Sequence, residues 1–262
     1  MNHKRVNILN IPIDNISMYD ILNRLKEGGV VFTPNVDHLV KLQKDREFRQ
    51  AYLDADYRVC DSQLVIYASR FLGQPIQEKV SGSDLFPAFC QRYSKDPDVQ
   101  IFLLGGLNGV AERARRRINA KVGRNIVVDS YSPPLGFDRD PAECRKIIEI
   151  INNSGANVLA VGVGVPKQEK WIYKYRACFP EISTFLAIGA TIDFEAGEVS
   201  RAPSWMSSAG LEWLYRLLKE PGRLWKRYLV EDVAFFGLIL RQKLSLNRKG
   251  NYRRKSKIFE SR

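Results

Sequence analysis

The sequence lacks the cysteine spacing that marks a disulfide framework or a zinc site. Its four cysteines are at least thirty residues apart, form no C-x-x-C pair, and have no histidine nearby at metal-ligand spacing. Zinc sites and redox-active cysteine pairs show such spacing. We therefore expect reduced thiols in the core of a cytosolic protein at these four positions: Cys60, Cys90, Cys144 and Cys178.

Long apolar runs are also missing. Met1–Ile13 has no continuous apolar segment of the kind found in a signal peptide, so we predict none. Near the end of the sequence, the longest run is Val233–Leu240, far shorter than the roughly 20 residues that a membrane-spanning helix needs. Such a run can lie on a membrane surface but is too short to cross one.

The positive charge is concentrated at one end of the chain. Of the net charge of +12, residues 201–262 contribute +10, from 15 Lys and Arg against 5 Asp and Glu, so the preceding 200 residues are nearly neutral. A nearly neutral body with a basic end suggests that this end meets a polyanion. A nucleic acid and an anionic membrane surface are the two candidates.

Between residues 1 and 200, short apolar runs alternate with helical patterns, and this alternation predicts one fold class. We expect an α/β protein with a Rossmann-like, mostly parallel sheet and helices on both faces. In detail, the patterns predict one strand over Val6–Ile13, one helix over Asp37–Ala55 and a loop over Ser130–Phe137.

Residues 201–262 have a different composition, with tryptophan and tyrosine beside arginine and lysine, as in Trp205 and Trp225. This mixture is typical of interfacial helices on anionic lipid. A helical cap packed on the body, with its basic side chains merely solvated, explains the pattern too. The two interpretations are compatible.

The stretch Val158–Trp171 predicts a buried strand, a glycine-lined turn and a helix. Pro166 suits the first turn of that helix. In an open α/β sheet, ligands bind at such turns, in the crevice at the carboxyl ends of the strands. We therefore expect Gln168 to project into a ligand site.

Polar residues follow two other predicted strands. Thr33 and Asn35 come after the run Val30–Phe32, and Asp61 follows Tyr57–Cys60. Asn35 has two possible roles, as the cap of the next helix or as a ligand group. Asp61 can likewise be a helix cap or a general base, and capping is the more common use.

A glycine-rich turn, Gly105–Gly109, follows another predicted strand. It resembles a dinucleotide-binding turn only loosely, because the match is G-G-x-x-G and no acidic residue follows at a convincing ribose-binding position. A tight turn before a solvated, arginine-rich helix explains it equally well. A nicotinamide-dependent oxidoreductase is therefore one competing hypothesis.

Six short motifs resemble the WecG/TagA/CpsF family of glycosyltransferases when taken together and in order. They are Phe32-Thr33-Pro34-Asn35, Cys60-Asp61, Val80-Ser81-Gly82-Ser83-Asp84-Leu85-Phe86, Gly162-x-Gly164-x-Pro166-x-Gln168-Glu169-x-Trp171, Gly189-Ala190 with Asp193, and Arg201-Ala202-Pro203-x-Trp205-Met206. The resemblance continues through Leu211–Tyr228 and covers about four-fifths of the chain.

This resemblance implies an inverting glycosyltransferase that moves a sugar from a UDP-sugar to an undecaprenyl-diphosphate-linked saccharide in cell-surface polysaccharide biosynthesis. It implies no cofactor and no metal site. It also implies a catalytic domain over residues 1–200 and an appendage over residues 201–262 that closes the active site and contacts the cytoplasmic face of the cell membrane peripherally. A second copy of the chain, in a homo-oligomer, is the remaining candidate partner.

The resemblance also implies roles for individual residues. Asp61 matches the general base, which takes the proton of the attacking hydroxyl, and Thr33, Asn35 and Gln168 match the donor pocket. The family usually has arginine where this chain has Lys79, which keeps the charge but loses the two-pronged contact to a diphosphate. The departing diphosphate needs cations, for which the candidates in the appendage are Arg216, Arg223 and Arg227.

The basic end of the chain leaves one alternative from another class, a nucleic-acid-binding protein that uses residues 241–262. Salt-sensitive binding to DNA or RNA would identify it. We find no recognised nucleic-acid module in the sequence.

Overall fold

The computed structural model describes residues 4–203, 205–206, 211–226 and 230–260, and the side chains within these ranges except those of Glu212, Arg216, Arg223 and residues 248–260. Its centre is a parallel sheet of six strands in the order β4-β3-β8-β7-β5-β6. The strands are β3 (Gly29–Phe32), β4 (Tyr57–Arg58), β5 (Ile101–Gly105), β6 (Val127–Tyr131), β7 (Val158–Gly162) and β8 (Thr184–Ala187). The predicted Rossmann-like α/β fold is confirmed.

Helices cover both faces of the sheet. Those of the body are α1 (Met18–Arg24), α2 (Val36–Lys41), α3 (Arg46–Asp54), α4 (Gln63–Phe71), α5 (Gly82–Arg92), α6 (Val110–Val122), α7 (Pro141–Asn152), α8 (Lys167–Tyr175) and α9 (Thr191–Ala196). Short 3₁₀ turns lie at Phe137–Arg139 and Arg176–Cys178. The helices after the body are α10 (Glu212–Lys219), α11 (Pro221–Lys226) and α12 (Ala234–Glu260).

The central strands β5 and β7 are apolar and buried throughout because both of their faces are covered. In β5, Phe102 and Leu104 join the hydrophobic cluster on one face of the sheet, and Ile101 and Leu103 join the cluster on the other. This alternation is the two-residue period of a strand. It explains why β5 appears in the sequence as a continuous apolar run.

The first predicted strand is wrong in detail, because Val6–Ile13 folds as a hairpin. Strands β1 (Arg5–Ile8) and β2 (Ile11–Asp14) pair antiparallel across a turn at Leu9 and Asn10. Both turn residues have positive φ, 51° and 61°. A two-residue turn with both φ values positive matches the twist of the strands that it joins.

The helix predicted over Asp37–Ala55 is two helices, α2 and α3. The break is at Asp45, whose side chain accepts a hydrogen bond from the Phe48 backbone N–H at 3.0 Å and caps α3. An N-cap aspartate satisfies an otherwise unpaired amide, and it begins a new helix at this position.

Two further expectations need correction. Strand β6 extends to Tyr131, into the predicted loop, because β5 continues to pair with it as far as Leu104 and Tyr131, after a shift of register near Phe102. The four cysteines are free, and Cys60, Cys90 and Cys144 are buried as expected. Cys178 is exposed, because its 3₁₀ turn lies at the surface.

The C-terminal helix α12 packs on the body. Phe235 and Ile239 are buried in the same hydrophobic cluster as strand residues of the sheet. Gln242 accepts a hydrogen bond from the Leu9 backbone N–H at 2.8 Å and donates one to the Asn7 carbonyl at 2.9 Å. Among the helices that the structure describes, none is long and apolar enough to span a bilayer.

Candidate active site

The ends of strands β3, β4, β7 and β8 surround a cavity of about 260 Å³ at the carboxyl edge of the sheet. Four of the predicted site residues line it together, although they come from three distant parts of the sequence: Thr33, Asn35, Asp61 and Gln168. Parallel strands bring their carboxyl ends to one edge, which is where α/β sheets bind ligands. Five further lining residues belong to the motifs of the sequence analysis: Gly82, Ser83, Gly164, Gly189 and Ala190. The others lie outside those motifs: His38, Lys41, Val165, Ile188, Thr191 and Phe194.

Asp61 is held by backbone pairing on both sides of its segment. Its N–H donates to the Pro34 carbonyl at 3.0 Å, and the Cys60 carbonyl accepts from the Val80 N–H at 2.8 Å. The cap of α4 is the next residue, Ser62, whose hydroxyl accepts from the Val65 N–H. Ser62, and not Asp61, therefore caps α4, and Asp61 is a half-buried carboxylate in the cavity wall.

Asn35 both caps a helix and lines the cavity. Its side-chain oxygen accepts from the His38 backbone N–H at 3.2 Å and caps α2. The cap uses the oxygen of the amide, so the amide nitrogen keeps its two hydrogens for a ligand. Thr33, immediately after β3, is buried beside Gly82, and a Cβ on that glycine would lie 3.5 Å from the Thr33 hydroxyl.

Gln168 is 3% exposed and its amide is fixed at both ends. The side-chain oxygen accepts from the Gly189 N–H at 3.1 Å, and the side-chain nitrogen donates to the Glu169 carboxylate at 2.8 Å. Gln168 therefore joins the strand ends of β7 and β8. One amide hydrogen remains, since the two bonds use the oxygen and one hydrogen.

Glu169 is fully buried beneath Gln168. One of its carboxylate oxygens has no hydrogen-bond partner in the structure. Burial raises the pKa of Glu169 to about 7, with the nearby Asp37 raising it further and the bond from Gln168 opposing the shift. The carboxyl group is thus close to half protonated near neutral pH.

Helix α8 carries Gln168 and Glu169 and is anchored by its neighbouring residues. Trp171 and Ile172 are buried in the core, and Lys170 forms ion pairs with Asp45 at 2.7 Å and Glu47 at 3.1 Å on α3. Gln168 is therefore placed by a rigid element, as a ligand-orienting side chain requires.

The sequence did not reveal a polar layer behind the cavity. The Nδ1 atom of His38 lies 2.6 Å from the Tyr52 hydroxyl, and the Lys41 ammonium contacts the buried Asp37 carboxylate at 2.8 Å. His38 and Lys41 both line the cavity. They are three residues apart on α2, the helix that Asn35 caps, so they lie on the same face of that helix. This spacing in the sequence could have indicated that both residues face the cavity.

A second cavity, of about 360 Å³, adjoins the first and shares Gly164, Gly189, Ala190 and Phe194 with it. It is lined also by Gly106, Leu107, Pro133, Pro134, Leu135, Phe137, Gly162, Val163, Lys167, Asp193, Val199 and Glu220. Lys167 and Asp193 are its charged groups from the body. Together the two cavities form one crevice along the carboxyl ends of β3, β8, β7 and β5.

Glycine is required where these strand ends meet. A Cβ on Gly105 would collide with the carbonyl of Gly162, and a Cβ on Gly162 would collide with the carbonyl of Gly189. Gly105 has a φ of 144°, in the region that favours glycine. The Gly105–Gly109 turn thus begins with a close backbone approach, and its Gly106 and Leu107 line the second cavity.

None of the four predicted cations is among the described residues that line the first cavity. Lys79 lies beside the first cavity, where its charge acts on Cys60 and Asp84, but the lining does not include it. The side chains of Arg216 on α10 and Arg223 on α11 are outside the description, and Arg227 lies outside the described residues altogether. Glu220, between α10 and α11, does line the second cavity.

Arg201 ties the start of the C-terminal segment to the crevice. Its guanidinium forms an ion pair with Asp84 and contacts the Ser83 hydroxyl at 3.3 Å, at the start of α5. Burial raises the pKa of Asp84, but the bonds from Arg201 and Ser81 outweigh it and leave that pKa lowered. In the described part of the chain, no group of three or more His, Cys, Asp or Glu side chains is placed to hold a metal ion.

A Rossmann-like sheet whose strand ends surround a carboxylate and neutral polar side chains is typical of an enzyme that binds a nucleotide-bearing ligand. The family described as Glycosyl transferase WecG/TagA/CpsF matches residues 6–249, nearly the whole chain. The chain belongs to this family and is a glycosyltransferase.

Two curated relatives are similar over most of their length. Both are named N-acetylglucosaminyldiphosphoundecaprenol N-acetyl-beta-D-mannosaminyltransferase. The protein of Bacillus subtilis strain 168 is 31% identical over 85% of this chain and 86% of its own. The protein of Bacillus spizizenii strain W23 is 29% identical over 78% of this chain and 76% of its own. Neither name supports the nucleic-acid or nicotinamide alternatives.

Proposed function

We propose that this chain transfers a sugar from a UDP-sugar to a saccharide linked to undecaprenyl diphosphate, with inversion at the anomeric carbon. The observation that carries the proposal is the cavity in which Asp61 meets Thr33, Asn35 and Gln168. The names of the relatives support an acceptor of this chemical class. A role in cell-surface polysaccharide biosynthesis follows from such an acceptor.

In the proposed reaction, Asp61 is the general base. Its carboxylate takes the proton of the acceptor hydroxyl while the hydroxyl oxygen forms a bond to the anomeric carbon. The bond from that carbon to the UDP oxygen breaks on the opposite face, and UDP departs with the electron pair. The remaining amide hydrogens of Asn35 and Gln168 suit hydrogen bonds to the sugar hydroxyls.

Positive charge must balance the departing diphosphate. Lys167 is a described cation in the second cavity, next to the cavity that contains Asp61. Lys79, Arg216, Arg223 and Arg227 remain candidates, and the three arginines belong to the segment that we propose closes over the crevice. Two observations support this closure. Glu220 lines the second cavity, and Leu224 is buried.

We also propose that residues 201–262 form an appendage that holds the enzyme on the cytoplasmic face of the cell membrane. Its net charge of +10 suits an anionic lipid surface. The exposed aromatic rings of Trp205 and Trp225 suit the interfacial layer. Cosedimentation with anionic vesicles, compared with neutral ones, tests this part of the proposal, and equal binding to both would contradict it.

The decisive experiment is a panel of UDP-sugars assayed for UDP release with a short-chain polyprenyl-diphosphate N-acetylglucosamine acceptor. We expect release with UDP-N-acetylmannosamine or a related UDP-sugar, and only when the acceptor is present. Absence of release with every donor would reject the proposal. Release that does not depend on the acceptor would indicate a hydrolase.

A further inference from the structure

Helix α4 connects the active site to an apolar surface. It begins at Gln63, two residues after Asp61, and runs for nine residues, which is about 13 Å at the rise of an α-helix. Leu64, Tyr67 and Phe71 are spaced at i, i+3 and i+7, so they share one face. Tyr67 and Phe71 are about half exposed on that face, whereas large side chains in a closed core are buried.

Helix α12 supplies the opposite wall and leaves a groove of about 370 Å³ between the two helices. We call this the α4–α12 groove. Phe235 and Ile239 are buried in the core and fix its floor, whereas Phe236 and Leu240 stand exposed at its rim. The residues that line the groove are aliphatic or aromatic, and the hydroxyl of Tyr67 is the one polar side-chain group among them. The groove is therefore preformed, since its floor belongs to the core of the body.

The groove lies close to the polar cavity along the chain. Helix α12 packs on α2 and also lies against α4, where the two helices line the groove together. Helices α2 and α4 begin beside Asn35 and Asp61. At the other end of α4, the Lys243 ammonium lies 5.4 Å from the centre of the Phe71 ring. An apolar path thus leads from the catalytic edge towards a cation, which suits a ligand with an apolar chain and an anionic membrane beyond it.

We propose that the α4–α12 groove binds the first isoprene units of the acceptor's polyprenyl chain. This inference rests on the proposed function, which places the diphosphate end of such an acceptor near Asp61. An isoprenoid is branched and apolar, and it gains affinity from each group that leaves water. A groove lined almost wholly by apolar atoms suits such a chain and does not suit the sugar or the diphosphate, whose polar groups would lose their hydrogen bonds to water there.

The test separates the groove from the rest of the exposed apolar surface. Leu240 and Leu244 are matched on α12, one turn apart, with exposures of 53% and 54%, and only Leu240 lines the groove. We would measure the binding of farnesyl diphosphate and of inorganic diphosphate to the full chain by calorimetry. Leu240→Ser, Phe236→Ser and Leu244→Ser would be compared, with thermal unfolding to confirm that each folds.

We expect farnesyl diphosphate to bind at least tenfold more tightly than inorganic diphosphate. Leu240→Ser and Phe236→Ser should each raise the Kd for farnesyl diphosphate about five- to tenfold, whereas Leu244→Ser should leave this Kd unchanged. In the transfer assay the same two variants should raise the acceptor KM, with kcat unchanged. Equal affinities for the two probes, or equal effects at Leu240 and Leu244, would overturn the proposal.

The membrane itself is the competing occupant. If the groove only rests on lipid, the three variants will weaken vesicle binding alike and leave farnesyl diphosphate binding unchanged, and the proposal fails. The calorimetry needs no turnover. A failure of the proposed function, with no UDP release for any acceptor, is therefore distinguishable from a failure of the groove proposal.

Discussion

The cavity around Asp61 lies at the start of helix α4, the α4–α12 groove runs along the outer face of the same helix, and the two regions are built on opposite principles. In the cavity, buried polar groups hold one another, as Gln168 is held by Gly189 and Glu169. In the groove, the rings of Tyr67, Phe71 and Phe236 stand about half exposed. Buried polar groups are stable when they are hydrogen-bonded, and these bonds fix the direction in which the Gln168 side chain points. The groove selects only by size and apolarity.

Under the two proposals, this difference lets one enzyme bind both ends of an amphiphilic acceptor. Helix α4 takes part in both regions because its cap, Ser62, directly follows Asp61 and its outer face is largely apolar. Its inner face, with Val65 and Ile66, packs into the core. The period of the helix therefore separates the anchoring residues from those at the surface.

The largest expected effect lies at the polar end, at Asp61. Asp61→Asn keeps the shape of the side chain but cannot accept the proton, so kcat should fall by about 10² to 10⁴-fold. The Kd for UDP should stay close to that of the unaltered enzyme. Stopped assays of UDP release and calorimetry measure the two quantities.

A matched control for this change is Asp140→Asn, at the exposed cap of α7, where asparagine caps equally well. It should leave kcat unchanged. Near-normal turnover in Asp61→Asn would exclude Asp61 as the base.

The second effect concerns the buried carboxyl group of Glu169. Its pKa of about 7 in the folded protein lies above the ordinary value of 4.5, so the folded state holds the proton more tightly. Stability should therefore fall as the pH rises from about 4.5 to about 7 and stay reduced above that range. The shift corresponds to about 3 kcal/mol.

Glu169→Gln should lack this loss. The difference in unfolding free energy between the variant and the unaltered protein should grow across that pH range, as measured by urea unfolding at several pH values. Glu149→Gln, at an exposed position on α7, is the control and should show no such growth. Parallel stability curves for Glu169→Gln and the unaltered protein would contradict the assigned pKa shift.

A smaller effect is expected at Gln168. Gln168→Ala removes the bond to the Gly189 N–H and any bond to the donor sugar, so kcat/KM for the donor should fall about 10- to 100-fold. Gln91→Ala, at an exposed site on α5, serves as the comparison. If the two alanine variants behave alike in steady-state kinetics, Gln168 has no role in the donor pocket.

The smallest expected effect is that of chelation. The resemblance implies a reaction without a metal, so EDTA should leave the rate of UDP release unchanged within about twofold. Loss of activity in EDTA, restored by Mg²⁺ or Mn²⁺, would show instead that a metal balances the leaving diphosphate.

Most of the fold was predictable from local patterns. Apolar runs such as Val158–Gly162 lie at the centre of the sheet, and the β-α alternation indicated parallel strands. The errors occurred where a single residue decides the geometry. Asp45 divides a predicted helix, and Leu9 and Asn10 divide a predicted strand. A periodic pattern averages over such residues and does not detect them.

The site was predictable in part. Thr33, Asn35, Asp61 and Gln168 were identified as polar residues after strands or in family motifs, and they line one cavity. His38 and Lys41 were missed, because on sequence alone they look like ordinary positions of an amphipathic helix. The pairing of His38 with Tyr52 joins two helices, and no local pattern contains it.

The sequence by itself determined the fold class, the family and the residue types available for chemistry, because periodicity and short motifs are local properties of the chain. Only the tertiary structure decided that Ser62 rather than Asp61 caps α4, that the amide of Gln168 is fixed by Glu169 and Gly189, and that an apolar groove begins beside the site. These facts depend on contacts between segments far apart in the chain, which form only when the sheet brings its strand ends together.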